Sequence, residues 1–340
     1  MTRNARPNRI LISTKFRFIG DTLLAIPALI AVRHSWPDAH ITLLTGRKAA
    51  VLLKNNPLLN SILEFEPTGR DQGLRNFFRI IRQIRKEKFD TAITLNRSFH
   101  SALIPALSSI STRVGWSSEG RGLLLNRSVP YNTTASEIDC YFDVLKLIHA
   151  QIPSNCTPRL WISESERTSA KFLLDKHITE NLHDVVLVGV QPGASLEIKR
   201  WSVARFAALA NGLAAQFPHI KLMLLGGPDE VDTAERMYAE LSVDTQLRTL
   251  NLTGMTDLRG SIALLETLTL FIGNDTAVLH CAAAVGVATV ALFGPTNADK
   301  WGSTSNQHRI IKAPNGTMDQ MSVESVLQEC GDRLEELLGS

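Results

Sequence analysis

Strand-forming and helix-forming stretches alternate along this chain, and the alternation begins again halfway. RILIST (9–14) is a β-rich run followed by Gly20-Asp21 and an apolar helical stretch that ends before Pro37. HITLL (40–44), a helix over 47–55 and SILEF (61–65) follow, then an amphipathic segment over 74–89, TAITL (91–95) and TRVGW (112–116). A polar, Pro-containing stretch (154–163) and a helix over about 164–177 separate these from DVVLVGV (184–190), where the pattern restarts. It runs on through a helix (202–217), IKLMLLGG (220–227), a helix (229–241), LTLFIG (268–273), a helix (277–285) and ATVALFG (288–294). Strands that alternate with helices pair in parallel and are covered on both faces, which predicts an α/β fold. Two βαβ halves of similar length predict two Rossmann-like domains facing a central cleft, over 1–160 and 161–320. The amphipathic stretch SVESVLQECGDRLEELL predicts a closing helix within 321–340.

Charge separates the halves more sharply than it describes the whole. Residues 1–165 hold 22 Lys/Arg and 12 Asp/Glu, 22 − 12 = +10, and residues 166–340 hold 14 and 21, 14 − 21 = −7, which sum to the net +3. A half this basic is drawn to an anionic surface such as lipid headgroups or nucleic acid, unless it is simply a solvated basic face. In the amphipathic segment, Leu74, Phe77, Phe78, Ile81 and Ile84 fall on one side at helical spacing, and Arg75, Arg79, Arg82 and Lys86 on another. No apolar run reaches the roughly 18 residues that span a bilayer. Lys15 and Arg17 interrupt the first apolar stretch before any small-residue cleavage site, so a cytoplasmic protein is expected. Cys140, Cys156, Cys281 and Cys330 show no CxxC spacing and read as core residues rather than a zinc or redox site.

In open parallel sheets ligands lie at the carboxyl ends of strands, where helix N-termini present N–H groups to anions. Three junctions carry residues suited to this. STKFRFIGDT (13–22) places Asp21 at a helix start, where it is either functional or an N-cap. VQPGASLEIKRWS (190–202) combines a Gly-containing loop, the Ser195 hydroxyl and the cations Lys199 and Arg200, a set that suits a diphosphate, although the cations could be merely solvated. FIGNDTAVLHCAAAVG (271–286) presents Asp275, Thr276 and, one turn on, His280; capping and a satisfied buried histidine are the alternatives. No GxGxxG, GxxxxGK[ST], GxSxG or HExxH is present, which removes most support for dehydrogenase, NTPase, hydrolase and zincin chemistry. Nucleic-acid binding rests on charge alone, and no nucleic-acid partner is expected.

KFRFIGDTLLAIPAL, PGASLEIKRW and LNLTGMTDLRGSIALLETLTLFIGNDTAVLHCAAAVGVATVALFGPT, in that order, make the chain resemble the ADP-heptose:lipopolysaccharide heptosyltransferases of glycosyltransferase family 9. The resemblance implies a GT-B fold with an acceptor-binding first domain, a nucleotide-sugar-binding second domain and a final helix that packs back on the first. It implies an inverting transfer of heptose from ADP-heptose to the lipopolysaccharide inner core, with no tightly bound cofactor and no catalytic metal. On the matching positions, Asp21 is the general base and Lys199 neutralises the diphosphate, with Ser195 as a hydroxyl donor nearby. Asp275, Thr276, Ala277 and His280 form the block that holds the diphosphate and sugar. Asp229 stands where the family places an acid against the ribose hydroxyls, and Glu230 could serve equally. The family has Gly where Ala277 stands; the N–H survives, but a Cβ crowds close approach of the ligand. Arg79, Arg82 and Lys86 then suit a phosphorylated, lipid-anchored acceptor, by peripheral electrostatic association with the inner membrane and with Phe77 and Phe78 in the core. A nucleotide-sugar-binding protein without transfer activity and a GT-B-type UDP-sugar epimerase are the alternatives.

Overall fold

A computed structural model describes residues 6–16, 19–180, 185–302 and 307–339. The chain divides between Arg159 and Leu160 into two compact units. In the first, β1 (Arg9–Ser13), α1 (Ile19–Leu24), α2 (Ile26–Ser35), β2 (His40–Thr45), α3 (Arg47–Leu52), β3 (Ser61–Glu64) and α4 (Leu74–Glu87) are followed by β4 (Thr91–Thr94), α5 (Phe99–Leu107), β5 (Thr112–Trp116), β6 (Arg127–Val129) and α6 (Glu137–Lys146). In the second, α7 (Glu164–Leu174), β7 (Val186–Gln191), α8 (Val203–Gln216), β8 (Ile220–Leu224), α9 (Val231–Ala239), α10 (Val243–Leu247), β9 (Thr249–Asn251) and α11 (Leu258–Leu265) precede β10 (Leu270–Asn274), α12 (Ala277–Ala284), β11 (Ala288–Phe293), α13 (Ala298–Trp301), β12 (His308–Lys312) and α14 (Val323–Leu338).

Each unit holds a six-stranded parallel sheet, ordered β3-β2-β1-β4-β5-β6 and β12-β11-β10-β7-β8-β9. Numbered within its own unit, the second sheet repeats the order of the first. The strand order therefore reverses beside β1 and β4 in one unit and beside β7 and β10 in the other. The carboxyl ends of those strands are where a doubly wound sheet leaves a crevice. The central strands are buried on both faces, all six residues of β11 among them, which is why they read as continuous apolar runs rather than alternating ones.

Several sequence expectations change. Three edge strands of weak signal were missed by the alternation: β6, which edges the first sheet opposite the expected β3, and β9 and β12, which edge the second. Edge strands bury less, so their pattern is fainter. The helices α5 and α6 were also unanticipated. The first apolar helical stretch is two helices, α1 and α2, meeting at Ala25 with Pro27 inside the first turn of α2, where a missing N–H costs nothing. Within the second unit α14 lies on α8, and its Val326, Cys330 and Leu334 are fully buried in that unit's core. Phe78, expected in the core, is 59% exposed, and Leu74 is 74% exposed; Ile80, Ile81 and Ile84 form the buried stripe of α4. Cys140, Cys281 and Cys330 are buried, as core residues should be, and Cys156 is half-buried.

Candidate active site

The carboxyl ends of β7 and β10 are tied together by one buried amide. Asn274 closes β10 and is fully buried; its Nδ2 donates to the carbonyls of Pro192 (3.0 Å) and Gly193 (3.1 Å), and its Oδ1 accepts from the Trp201 N–H at 3.1 Å. Trp201 is itself fully buried, with its indole N–H on the Met321 carbonyl. The segment 192–200 is thus pinned at both ends, and Lys199, at the end of its single 3-10 turn, is brought across to β10. Its Nζ lies 2.7 Å from Asp275 Oδ2, while His280 Nε2 lies 3.5 Å from Asp275 Oδ1. The Asp275 side chain is 7% exposed. Burial would raise its carboxyl, but hydrogen bonds from His280 and Lys199 outweigh that and hold it at about 2, below its ordinary 3.8. Asp275, Lys199 and His280 therefore form one charged cluster at the switch point.

A second chain of contacts runs beside it. Thr276 caps α12, accepting from the Leu279 N–H, and donates its own hydroxyl to Gln191 Oε1 at 2.8 Å. Gln191 Nε2 in turn donates to both Glu230 oxygens at 3.0 Å, and Glu230 Oε2 accepts from the Gly227 N–H at 3.0 Å. Gly193 makes room for this: a Cβ there would collide with the Glu230 carboxylate. Of the two acids considered for this position, Glu230 joins the network and Asp229 is exposed beside it. Side-chain length explains the choice, because Glu230 sits at the third position of the turn from Gly227 and reaches back to cap its N–H. Ser195 is exposed on the loop, and Ala277 opens α12 half-buried, its Cβ beside the N–H groups of that helix's first turn. Gln191 and Asn274 were legible only as polar residues ending apolar strands.

In the first unit, Asp21 lies in the first turn of α1, where a carboxylate complements the helix N-terminus. It is not an isolated cap: its Oδ1 takes an ion pair from Lys15, whose Nζ also lies 3.8 Å from Glu137 Oε1. The Asp21 side chain is 12% exposed and Glu137 1%. Tyr131 donates its hydroxyl to Glu137 Oε2 at 2.6 Å, and burial together with that bond pushes the phenol well above its ordinary range. Arg97 covers the Tyr131 ring at 4.3 Å. Lys15 thus sits between two carboxylates at the carboxyl end of β1, a pairing that sequence reading missed because Glu137 comes 122 positions later, at the first residue of α6. Arg79, Arg82 and Lys86 stand together on α4. Arg79 pairs with the buried Asp71 at 2.5 Å, and Arg82 and Lys86 are exposed. Among the described residues, no group of three or more His, Cys, Asp or Glu side chains is placed to hold a metal ion.

Two doubly wound parallel sheets, each with a polar cluster at its switch point, define an α/β fold of the GT-B type. The chain belongs to glycosyltransferase family 9 (heptosyltransferase), whose profile matches residues 77–330. It is a glycosyltransferase. It is 27% identical over 313 residues to lipopolysaccharide heptosyltransferase 2 of Salmonella typhimurium, covering 88% of this chain and 86% of that one. In fold it is similar to the family 9 glycosyltransferase of Veillonella parvula, with TM-score 0.87, 21% identity and 98% of both chains covered. It is also similar to the ADP-heptose lipopolysaccharide heptosyltransferase II of E. coli, with TM-score 0.79, 23% identity and 97% and 99% of the two chains covered.

Proposed function

We propose that this chain transfers heptose from ADP-heptose to the inner core of lipopolysaccharide, with inversion, at the cytoplasmic face of the inner membrane. The observation that carries this reading is the Lys199–Asp275–His280 cluster at the second unit's switch point, inside the segment matched by the family. Asp275 faces the Lys199 ammonium on one oxygen and the His280 imidazole on the other, and Lys199 stands at the end of the loop pinned by Asn274. A diphosphate arriving there meets a preplaced ammonium and the first-turn N–H groups of α12, the combination that stabilises developing negative charge. Thr276, Ala277 and Ser195 supply the remaining donors around it, and Glu230 is the acid suited to the ribose hydroxyls, in place of Asp229.

In the transfer, the acceptor hydroxyl oxygen attacks the anomeric carbon as the bond from that carbon to the diphosphate oxygen breaks. The electron pair leaves with ADP, and the hydroxyl proton passes to Asp21. One displacement from the opposite face inverts the centre. Asp21 suits the role because Lys15 fixes its orientation, while Glu137 holds the ammonium from the other side. The basic first unit suits an acceptor that carries phosphate groups and sits in a membrane.

Thermal unfolding with ADP, ADP-heptose, a UDP-sugar and NAD in parallel tests the donor. A ligand at about 100 times its Kd adds roughly 2.7 kcal/mol to the native state. Stabilisation by the two adenine diphosphates alone is expected; a shift with the UDP-sugar instead would reject the donor and revive the epimerase reading. Asp21→Asn should abolish release of ADP in the presence of acceptor while leaving ADP binding intact. Unchanged turnover in that variant would remove Asp21 from the mechanism.

A further inference from the structure

The outer face of α4 carries more apolar surface than the first unit can cover. At about 100° per residue, the residues that reach the core, Ile80, Ile84, Phe77 and Ile81, occupy one arc of the helix, and Phe78 lies about 60° beyond Ile81. The apolar flank thus extends beyond the buried stripe, with Arg85 set between Leu74 and Phe78 and its Nε turned to the Leu107 carbonyl at 2.9 Å, and the overhang is left in solvent: Phe78 is 59% exposed and Leu74 74%. Beside it, α5 begins with Phe99, 48% exposed, and the next residue, His100, stacks edge-on against Phe77 at 5.8 Å. The arc that follows Phe78 around the helix is basic, with Arg82, Arg75, Lys86 and Arg79 in turn. Across Leu74–Glu87 five cations stand against one acid. Of the acids near the stripe, Asp71 is buried and takes up Arg79, at the far end of that arc, together with Arg70, and Glu87 is 2.6 Å from Arg9.

From this geometry we infer that α4 is a membrane-docking helix, which lies along an anionic phospholipid surface with Phe78 and Leu74 entering the interface and Arg75, Arg82 and Lys86 on lipid phosphates. Charge complementarity selects the occupant. A second copy of this chain would bring the same cationic stripe against itself, and a nucleic acid would leave the aromatic and leucine side chains without an apolar partner. A helix with an apolar flank bordered by cations is the arrangement that settles in the plane of a bilayer interface. The inference deepens the reading of a membrane-bound acceptor, since it assigns the contact to insertion as well as charge.

Sedimentation of the full chain with phosphatidylglycerol/phosphatidylcholine vesicles, and with pure phosphatidylcholine vesicles, tests it. Binding is expected to the anionic vesicles only and to weaken with added salt. Phe78→Ser should lower the affinity about tenfold, and combined Arg75→Gln, Arg82→Gln and Lys86→Gln substitutions roughly a hundredfold. Leu74→Ser gives a second, independent exposed variant should Phe78→Ser unfold. Vesicle binding unchanged in Phe78→Ser and Leu74→Ser overturns the inference, as does a concentration-dependent dimer in light scattering that Phe78→Ser converts to monomer. Transfer measured in parallel on a deacylated, water-soluble core acceptor should be the same in Phe78→Ser as in the unaltered chain. Absence of that transfer in the unaltered chain, with vesicle binding as expected, rejects the heptosyltransferase reading and leaves the docking helix standing.

Discussion

Replacing Lys199 with methionine keeps most of the side-chain volume and removes the ammonium 2.7 Å from the buried Asp275 carboxylate. The Asp275 group lies at about 2 against an ordinary 3.8, so its folded-state environment favours the ionised form by about 2 kcal/mol. That value is depressed in the fold, so the stabilisation is present in full above the unfolded value near 4 and disappears as pH falls through the folded value near 2. Lys199 and His280 share it, and His280 remains in the variant at 3.5 Å. Lys199→Met is therefore expected to lose about 1–2 kcal/mol at pH 7. For a unit the size of Leu160–Ser340 that lowers Tm by about 2–8 °C. Circular dichroism melts at pH 7, 5 and 3 check it: the gap between the two proteins should be equal at pH 7 and 5 and narrower at pH 3. The same variant should gain less from excess ADP than the unaltered protein, because the cation proposed to meet the diphosphate is gone. A variant as stable as the unaltered chain at pH 7, or a gap that widens at pH 3, would show that the ion pair contributes nothing and that the cluster is wrongly read.

Three further outcomes follow from the same contacts. Arg259, 6% exposed, makes two hydrogen bonds of 2.8 Å to Glu166 and one of 2.6 Å to the Trp161 carbonyl, and with Arg259 it is Glu166 that falls to about 2; Arg259→Met should destabilise the second unit by about 2–3 kcal/mol in urea unfolding, by removing the cation from a half-buried carboxylate that keeps its bonds from Ser163. Glu230→Gln should weaken ADP binding in calorimetry by about tenfold, as expected for one hydrogen bond to a charged group, while Asp229→Asn, exposed and outside the network, should change it little. Ala277→Gly removes the Cβ at the first position of α12 and should tighten ADP severalfold at a stability cost of less than about 1 kcal/mol, read by calorimetry and thermal unfolding together.

Much of this protein is legible in its sequence because parallel strands must bury both faces. Runs such as VLVGVQ and ATVALF have few alternatives to a central strand, and two series of them separated by helical stretches read as two doubly wound units. The junction residues were legible for a related reason: Asp21, Lys199, Asp275, Thr276 and His280 are polar residues where apolar strands end. Edge strands such as β6 and β9 were not, since three residues with one buried face carry little pattern.

Tertiary structure decided which of those polar residues meet. Lys199 and Asp275 are 76 positions apart, and Gln191 and Glu230 39, and nothing local to either member of a pair specifies the other. They meet because parallel order carries the carboxyl ends of β7, β8 and β10 to one edge of one sheet. The same holds for Lys15 between Asp21 and Glu137, and for Glu230 over Asp229, where adjacent acids of equal charge differ in which one reaches Gln191. On α4 the heptad-like pattern named an apolar side, but how wide a stripe the sheet can cover is a property of the neighbouring elements. Period and composition are local and survive in the sequence; contact distance depends on how the whole chain packs, and that is where the site and the exposed face of α4 were settled.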